Sequence, residues 1–177
     1  MKTREAVALI ADAVGAPRGV WADLGAGSGT FTRALAELLG EGGRVYAVDR
    51  DQAAIAALRR MPPTSRATVV PVQEDFTRGL TLPGATEPLD GILFANALHF
   101  VRDAGRVLGR LVEALRPGGR VVLVEYDRRA ASPWVPYPIS VADLPALASA
   151  AGLTAFSVTA TRPSAYQGVL YAAYATR

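Results

Sequence analysis

Val20-Trp21-Ala22-Asp23-Leu24-Gly25-Ala26-Gly27-Ser28-Gly29-Thr30 leads a short apolar run into three alternating glycines. Val20–Leu24 has the length of a buried strand, and residues 29–39 repeat apolar positions at helical spacing. Glycines between a strand and a helix let a ligand approach backbone amides at the helix N-terminus, where side chains would collide with it. The alternative is a flexible turn, but three glycines cost conformational entropy that a plain turn does not require. A dinucleotide loop is spaced G-x-G-x-x-G, whereas these glycines stand at Gly25, Gly27 and Gly29. Asp23, two positions before the first of them, would oppose a pyrophosphate and suits a ligand carrying positive charge.

Outward from this loop, apolar runs alternate with helical patterns. A helix over residues 3–14, with stop signals at Gly15 and Pro17, precedes the first strand. After residues 29–39 come a strand over 44–48, a helix over 51–60 and a strand over 68–72. This rhythm predicts a parallel sheet. It continues with a fully buried strand over 91–95, a helix over 103–115, the turn Arg116-Pro117-Gly118-Gly119 and a β-branched strand over 121–124. A short helix over 141–151 closes at Gly152, and two alternating segments, 156–161 and 169–176, read as an antiparallel hairpin. Trp21, Tyr171 and Tyr174 follow strand alternation and belong to the core. Residues 132–140 form the one long irregular loop after the fifth strand.

Asp49, twenty residues after Gly29, ends the second strand, where a carboxylate can accept bonds from both hydroxyls of a ribose. Capping of the following helix fits Asp51 better than Asp49.

With 177 residues, half of them hydrophobic, the chain is expected to form one domain over 1–177 with a short N-terminal helix. No apolar run reaches the ~18 residues needed to span a bilayer. The N-terminal residues Met1-Lys2-Thr3-Arg4-Glu5 carry both signs of charge, so a soluble cytoplasmic protein without membrane contact is expected. The absence of cysteine excludes disulfides, thiolate metal sites, iron–sulfur clusters and thiol catalysis, and no metal site is expected. The net charge of +3 is spread over scattered residues with short pairs at Arg59-Arg60 and Arg128-Arg129, which does not indicate a nucleic-acid partner.

On these motifs the chain resembles the class I S-adenosylmethionine-dependent methyltransferases, in the small-molecule branch similar to the ubiquinone/menaquinone-biosynthesis methyltransferases. The likeness covers residues 18–177. Asp23-Leu24-Gly25-Ala26-Gly27-Ser28-Gly29 matches the family's first motif and Asp49 its second-strand acid. Val70-Pro71-Val72-Gln73-Glu74-Asp75-Phe76 matches the third, Leu89-Asp90-Gly91-Ile92-Leu93-Phe94-Ala95-Asn96-Ala97-Leu98-His99-Phe100 the fourth, and Arg116-Pro117-Gly118-Gly119 the turn before strand five.

The resemblance implies S-adenosylmethionine as cofactor, whose sulfonium and ammonium suit Asp23. It also implies an α/β fold, a Rossmann-like three-layer sandwich on a seven-stranded, mostly parallel sheet of order 3-2-1-4-5-7-6, the last strand antiparallel. The cofactor-binding set it points to is Asp23, Gly25, Ala26, Gly27, Gly29, Asp49, Arg50, Glu74, Asp75, Phe76 and Asn96. In it, Asp75 lies near the adenine amino group and Phe76 beside the ring. A turn role is the alternative for both Asp75 and Asn96.

Methyl transfer from a sulfonium is an in-line displacement, so alignment in a desolvated site supplies most of the catalysis and a general base is optional. His99, the one histidine, lies beyond the fourth strand and is the base candidate, with packing behind the loop as its alternative. Tyr126, Asp127, Trp134 and Tyr137 are candidates to line the acceptor pocket or to pack in the core. Only about fifteen residues precede the first strand, which predicts an open site. No Asn/Asp-Pro-Pro-aromatic pattern and no cysteine are present, which argues against methylation of DNA bases. A small-molecule acceptor is favoured. The competing readings are a non-catalytic cofactor-binding module and a nicotinamide-dependent oxidoreductase.

Overall fold

The computed structural model describes residues 1–15, 18–62, 67–127, 130–164 and 168–177. Pro17 and the Arg128-Arg129 pair lie outside the described residues. The first half of the chain runs α1 (Thr3–Val14), β1 (Val20–Leu24), α2 (Thr30–Leu39), β2 (Arg44–Asp49), α3 (Gln52–Arg59), β3 (Thr68–Gln73) and β4 (Leu89–Ala95). A 3-10 turn at Leu98–Phe100 follows, then α4 (Ala104–Leu111), β5 (Leu115–Asp127), α5 (Leu144–Ala151), β6 (Ser157–Pro163) and β7 (Val169–Thr176).

Seven strands form one sheet in the order β3-β2-β1-β4-β5-β7-β6. The first five pair in parallel, and β7 runs antiparallel to both β5 and β6. The expected order and the expected terminal hairpin are both present.

Alternate residues of the central strands bury into opposite layers, which is why these strands read as continuous apolar runs. Ala22, Leu24, Ile92, Phe94, Val121 and Leu123 pack with Leu108 and Leu111 of α4 and Leu144 and Leu147 of α5. On the other face Trp21, Val45, Leu93, Val122 and Val124 pack with Ile10 of α1 and Leu35 of α2. Trp21 and Tyr171 are buried as expected.

The helix expected over 103–115 is shorter. It passes after Leu111 into a 3-10 turn at Val112–Ala114, and Leu115 already pairs with Leu89 of β4. The next matched pair is Arg120 with Gly91, so Arg116-Pro117-Gly118-Gly119 bulges out between two ladder positions instead of preceding the strand. β6 extends to Pro163, which an edge strand tolerates because no neighbour on its open side calls for the N–H that proline lacks.

The strand order reverses between β1 and β4, and in open α/β sheets ligands bind outside the carboxyl ends of the strands at such a point. The glycine loop leaves β1 there, and Asn96 leaves β4 beside it.

Candidate active site

Asp23, at the carboxyl end of β1, is 1% exposed. Its Oδ2 accepts the Thr32 hydroxyl at 2.6 Å, while Oδ1 is buried with no partner among the described residues. Burial is the main force on this acid and raises its pKa to about 7. The Thr32 hydrogen bond opposes that rise, and the Asp49 charge adds to it. A buried carboxylate with one unpartnered oxygen is costly unless a cation or donor meets it.

The backbone amides of Gly25 and Ala26 donate to Val48 O at 2.9 and 3.0 Å, pinning the loop to the end of β2. Gly25 and Gly27 both hold positive φ but for different surroundings. A Cβ on Gly25 would stand 2.5 Å from Ala97 Cβ, whereas one on Gly27 would meet no atom within 4 Å beyond its chain neighbours. Gly29 is the left-handed N-cap of α2 and packs on Leu58. The glycine that faces open space is therefore Gly27, and its neighbours shape the turn.

Asp49 accepts the Gly27 amide through Oδ2 at 2.8 Å and the Asp51 amide through Oδ1 at 2.9 Å. Asp51, not Asp49, caps α3, accepting the Ala53 amide. Each Asp49 oxygen retains a lone pair for a further donor. Glu74 accepts the Thr81 amide at 2.8 Å. Asp75 accepts both the amide and the hydroxyl of Thr77, and the hydroxyl bond holds its carboxyl below the usual range. Asp75 thus fills a turn role and also lines a cavity. Phe76 meets Phe94 edge-on with ring centroids 5.6 Å apart.

Asn96 has φ +55°, the one positive value at a non-glycine among the described residues. Its amide donates to Val124 O at 2.8 Å, and its Oδ1 is buried without a partner among the described residues. Such strain persists only where the surroundings over-determine it.

Two cavities meet at Gly25, Gly27 and Asn96. The smaller, about 340 Å³, gathers Asp49, Arg50, Glu74, Asp75 and Phe76 with Ala97 and Phe100. The larger, about 540 Å³, gathers Asp23, Ala26, Ser28, Phe31 and Tyr126 with Glu5, Arg162 and Leu170. The expected cofactor residues are thus brought together along one bipartite cleft, except Gly29, which lines neither part.

Four other candidates lie elsewhere. His99 is 2% exposed and lines neither cavity. Its Nδ1 lies 2.6 Å from Oε2 of Glu125, so it sits in the interior behind Phe100 and Tyr126, in the packing position that is the alternative to a base role. Trp134 is 79% exposed and outside both cavities. Tyr137 lines another depression, with Arg102 and Asp103, at the start of α4. Asp127 accepts the Val141 amide at 3.0 Å and holds the start of the following turn.

The wall that replaces them was not visible from motifs. Glu5 of α1 and Arg162 of β6, both lining the larger cavity, meet at 3.3 Å, so these two elements supply part of its wall. The Lys2 amide, then Arg162, hold the Glu5 carboxyl below its ordinary range. These partners stand 157 positions apart, and no local pattern announces such a pair. Among the described residues no cluster of His, Asp or Glu could hold a metal ion, and no helix is long and apolar enough to cross a membrane.

A family model described as a methyltransferase domain matches residues 22–121. An uncharacterized methyltransferase of Mycobacterium tuberculosis is 34% identical over 113 residues, covering 64% of this chain and 42% of its own. The 2-phytyl-1,4-naphtoquinone methyltransferase of Thermosynechococcus vestitus is 32% identical over 114 residues, covering 63% and 48%. This chain therefore spans less than half the length of these curated relatives. Among solved structures, a SAM-dependent methyltransferase from Aquifex aeolicus superposes with TM-score 0.71 at 17% identity, covering 96% of this chain and 88% of that one. The 1,6-didemethyltoxoflavin-N1-methyltransferase of Burkholderia thailandensis, solved with 1,6-didemethyltoxoflavin and S-adenosylhomocysteine, superposes with TM-score 0.66 at 26% identity, covering 99% and 78%. With more than half of its length matched by that model, including the glycine loop and the ends of β1 to β4, the chain belongs to the methyltransferase domain family.

Proposed function

We propose that the cleft binds S-adenosylmethionine, its adenosine part in the smaller cavity and its methionine part in the larger, and that the protein methylates a small molecule. The observation that carries this reading is the buried, unpartnered Oδ1 of Asp23 on the wall of the larger cavity, beside the open face of Gly27. A ligand ammonium would satisfy that oxygen. Asp49 would accept the ribose hydroxyls while it holds the Gly27 amide, and Asp75, Phe76 and Ala97 would line the adenine. Gly25, Ala26, Arg50, Glu74 and Asn96 would complete the walls.

S-adenosylmethionine, when bound, supplies an electrophilic methyl group on a sulfonium. The chain's own part is to exclude water and align an acceptor, for which effective molarity is worth ~7–11 kcal/mol without a covalent nucleophile. Tyr126 and Leu170 offer an aromatic and an aliphatic wall for that acceptor, and a cavity of about 540 Å³ has the size of a small-molecule site. A cytoplasmic setting, in keeping with the cysteine-free composition, belongs to the same proposal.

Incubation with methyl-labelled S-adenosylmethionine and panels of phenols, amines, thiols and carbon acids tests the reading. Label in an extractable small molecule, matched by S-adenosylhomocysteine, is the expected result. Cofactor binding with no transfer to any class would favour a non-catalytic binding module instead.

Asp49→Ala is expected to weaken S-adenosylhomocysteine binding by about 1.5–3 kcal/mol, the range for hydrogen bonds to an ionised group. It also frees the Gly27 amide, so the loop loses an anchor as the ligand loses an acceptor. Calorimetry beside a thermal melt measures both, and unchanged affinity would remove Asp49 from the site.

A further inference from the structure

We infer that Glu125 is a positioning residue for the cofactor cleft, acting through His99, an inference that rests on the cleft being the cofactor site. Glu125 is 0% exposed on β5, and both its oxygens are spent on one residue. Oε1 accepts the backbone amide of His99 at 3.2 Å, and Oε2 lies 2.6 Å from Nδ1 of the same residue. A ring N–H at Nδ1 donates to the carboxylate in both the corresponding neutral tautomer and the imidazolium. The pair thus fixes main chain and side chain together.

What it fixes is the segment that leaves β4 toward the ligand. Residues 96–100 contribute Asn96, Ala97 and Phe100 to the smaller cavity, and Asn96 to the larger. At one end the segment is bent through the strained Asn96, whose amide is held by Val124 O, the residue before Glu125. In its middle Ala97 stands where any side chain on Gly25 would collide, so the segment and the glycine loop set each other's position. At the other end the His99 carbonyl accepts the Tyr137 amide at 3.0 Å, and the imidazole lies 4.4 Å, centroid to centroid, from the Phe100 ring.

A packed apolar interior would hold the sheet equally well, and a buried carboxylate is expensive unless its oxygens are met. Two directional bonds add what apolar packing does not, a single placement for the turn. The left-handed turn at Asn96 adds to this need, because a bent segment without an anchor has other backbone conformations open to it, which would carry Asn96 and Ala97 away from the loop.

Glu125→Gln keeps the shape of the side chain and replaces one of the two acceptor oxygens with an amide donor. Its affinity for S-adenosylhomocysteine, measured calorimetrically well below the melting temperature, is expected to fall at least tenfold. Leu39→Ala supplies the stability control, since Leu39 is 0% exposed and lies about 14 Å along α2 from Thr30. It should lower the melting temperature while leaving affinity within twofold. A Glu125→Gln protein that binds within twofold of wild type would reduce the pair to ordinary core structure and overturn the inference.

Should that variant not fold, His99→Asn removes the ring contact and leaves the backbone bond to Oε1. Faster amide exchange over residues 96–101, reversed by saturating S-adenosylhomocysteine, is then expected, and unchanged exchange would overturn the inference. Failure of the wild type itself to bind S-adenosylhomocysteine would instead sink the functional reading, and the pair would be judged on exchange alone.

Discussion

Asp23→Asn is expected to weaken S-adenosylmethionine binding by roughly 100-fold or more and at the same time to raise the melting temperature of the ligand-free protein above pH 7. Both effects come from one buried carboxylate. The substitution leaves the ligand ammonium without its counter-charge, and breaking a buried charge pair costs about 3–5 kcal/mol.

The stability gain follows from the raised pKa, about 7 in the folded chain against an ordinary 3.8. Between those values the folded state holds a proton that the unfolded state has released, so stability falls as pH rises toward 7 and stays low above it. At about 1.4 kcal/mol per pH unit the loss is on the order of 4 kcal/mol, which the neutral asparagine does not suffer. Melts from pH 4.5 to 8.5 should show that decline in wild type and a flatter profile in the variant. The wild-type affinity for the cofactor should fall below pH 7 as Asp23 takes up a proton. A variant that binds like wild type would leave the buried acid with no ligand to serve.

Gly27→Val is expected to abolish cofactor binding in a protein that still folds. The added side chain would enter space where, apart from its chain neighbours, no protein atom lies within 4 Å of its Cβ, so it disturbs the ligand's position and not the packing. Its φ of +51° adds strain of about 1–3 kcal/mol for a non-glycine residue, which lowers the melting temperature without removing the fold. Gly27→Ala separates the two effects, since it carries similar backbone strain with a smaller intrusion. Gly25→Ala provides the contrast, because its Cβ would strike Ala97 at 2.5 Å and should disturb the cleft from within. Full cofactor affinity in Gly27→Val, by calorimetry with a parallel melt, would contradict the ligand path.

Residues whose role depends on local backbone could be read from the chain alone. Asp23, the glycines and Asp49 occupy strand ends and the loop between, and spacing along the chain places them in space once the parallel sheet is granted. Asp51 and Asp49 were told apart by position relative to α3, and their hydrogen bonds divide the same way. Contacts across the sheet had no such signal. Glu125 reads as one acid at the end of an apolar strand, and nothing in the sequence shows that it will meet His99, 26 positions away. The irregular loop misled for a related reason. Trp134 and Tyr137 have the residue types of an acceptor wall, but a segment without helical or strand period gives no direction to its side chains. Trp134 ends in solvent, and α1 and the terminal hairpin contribute instead to the lining of the larger cavity.

The most direct test of the central claim, that this cleft is a cofactor site built on Asp23 and the open face of Gly27, is calorimetric titration of the wild-type protein with S-adenosylhomocysteine at pH 8. One saturable site per chain is expected, its affinity falling as the pH is lowered through 7 toward 5.5. No saturable heat up to millimolar ligand, or binding that ignores pH across that interval, would contradict it.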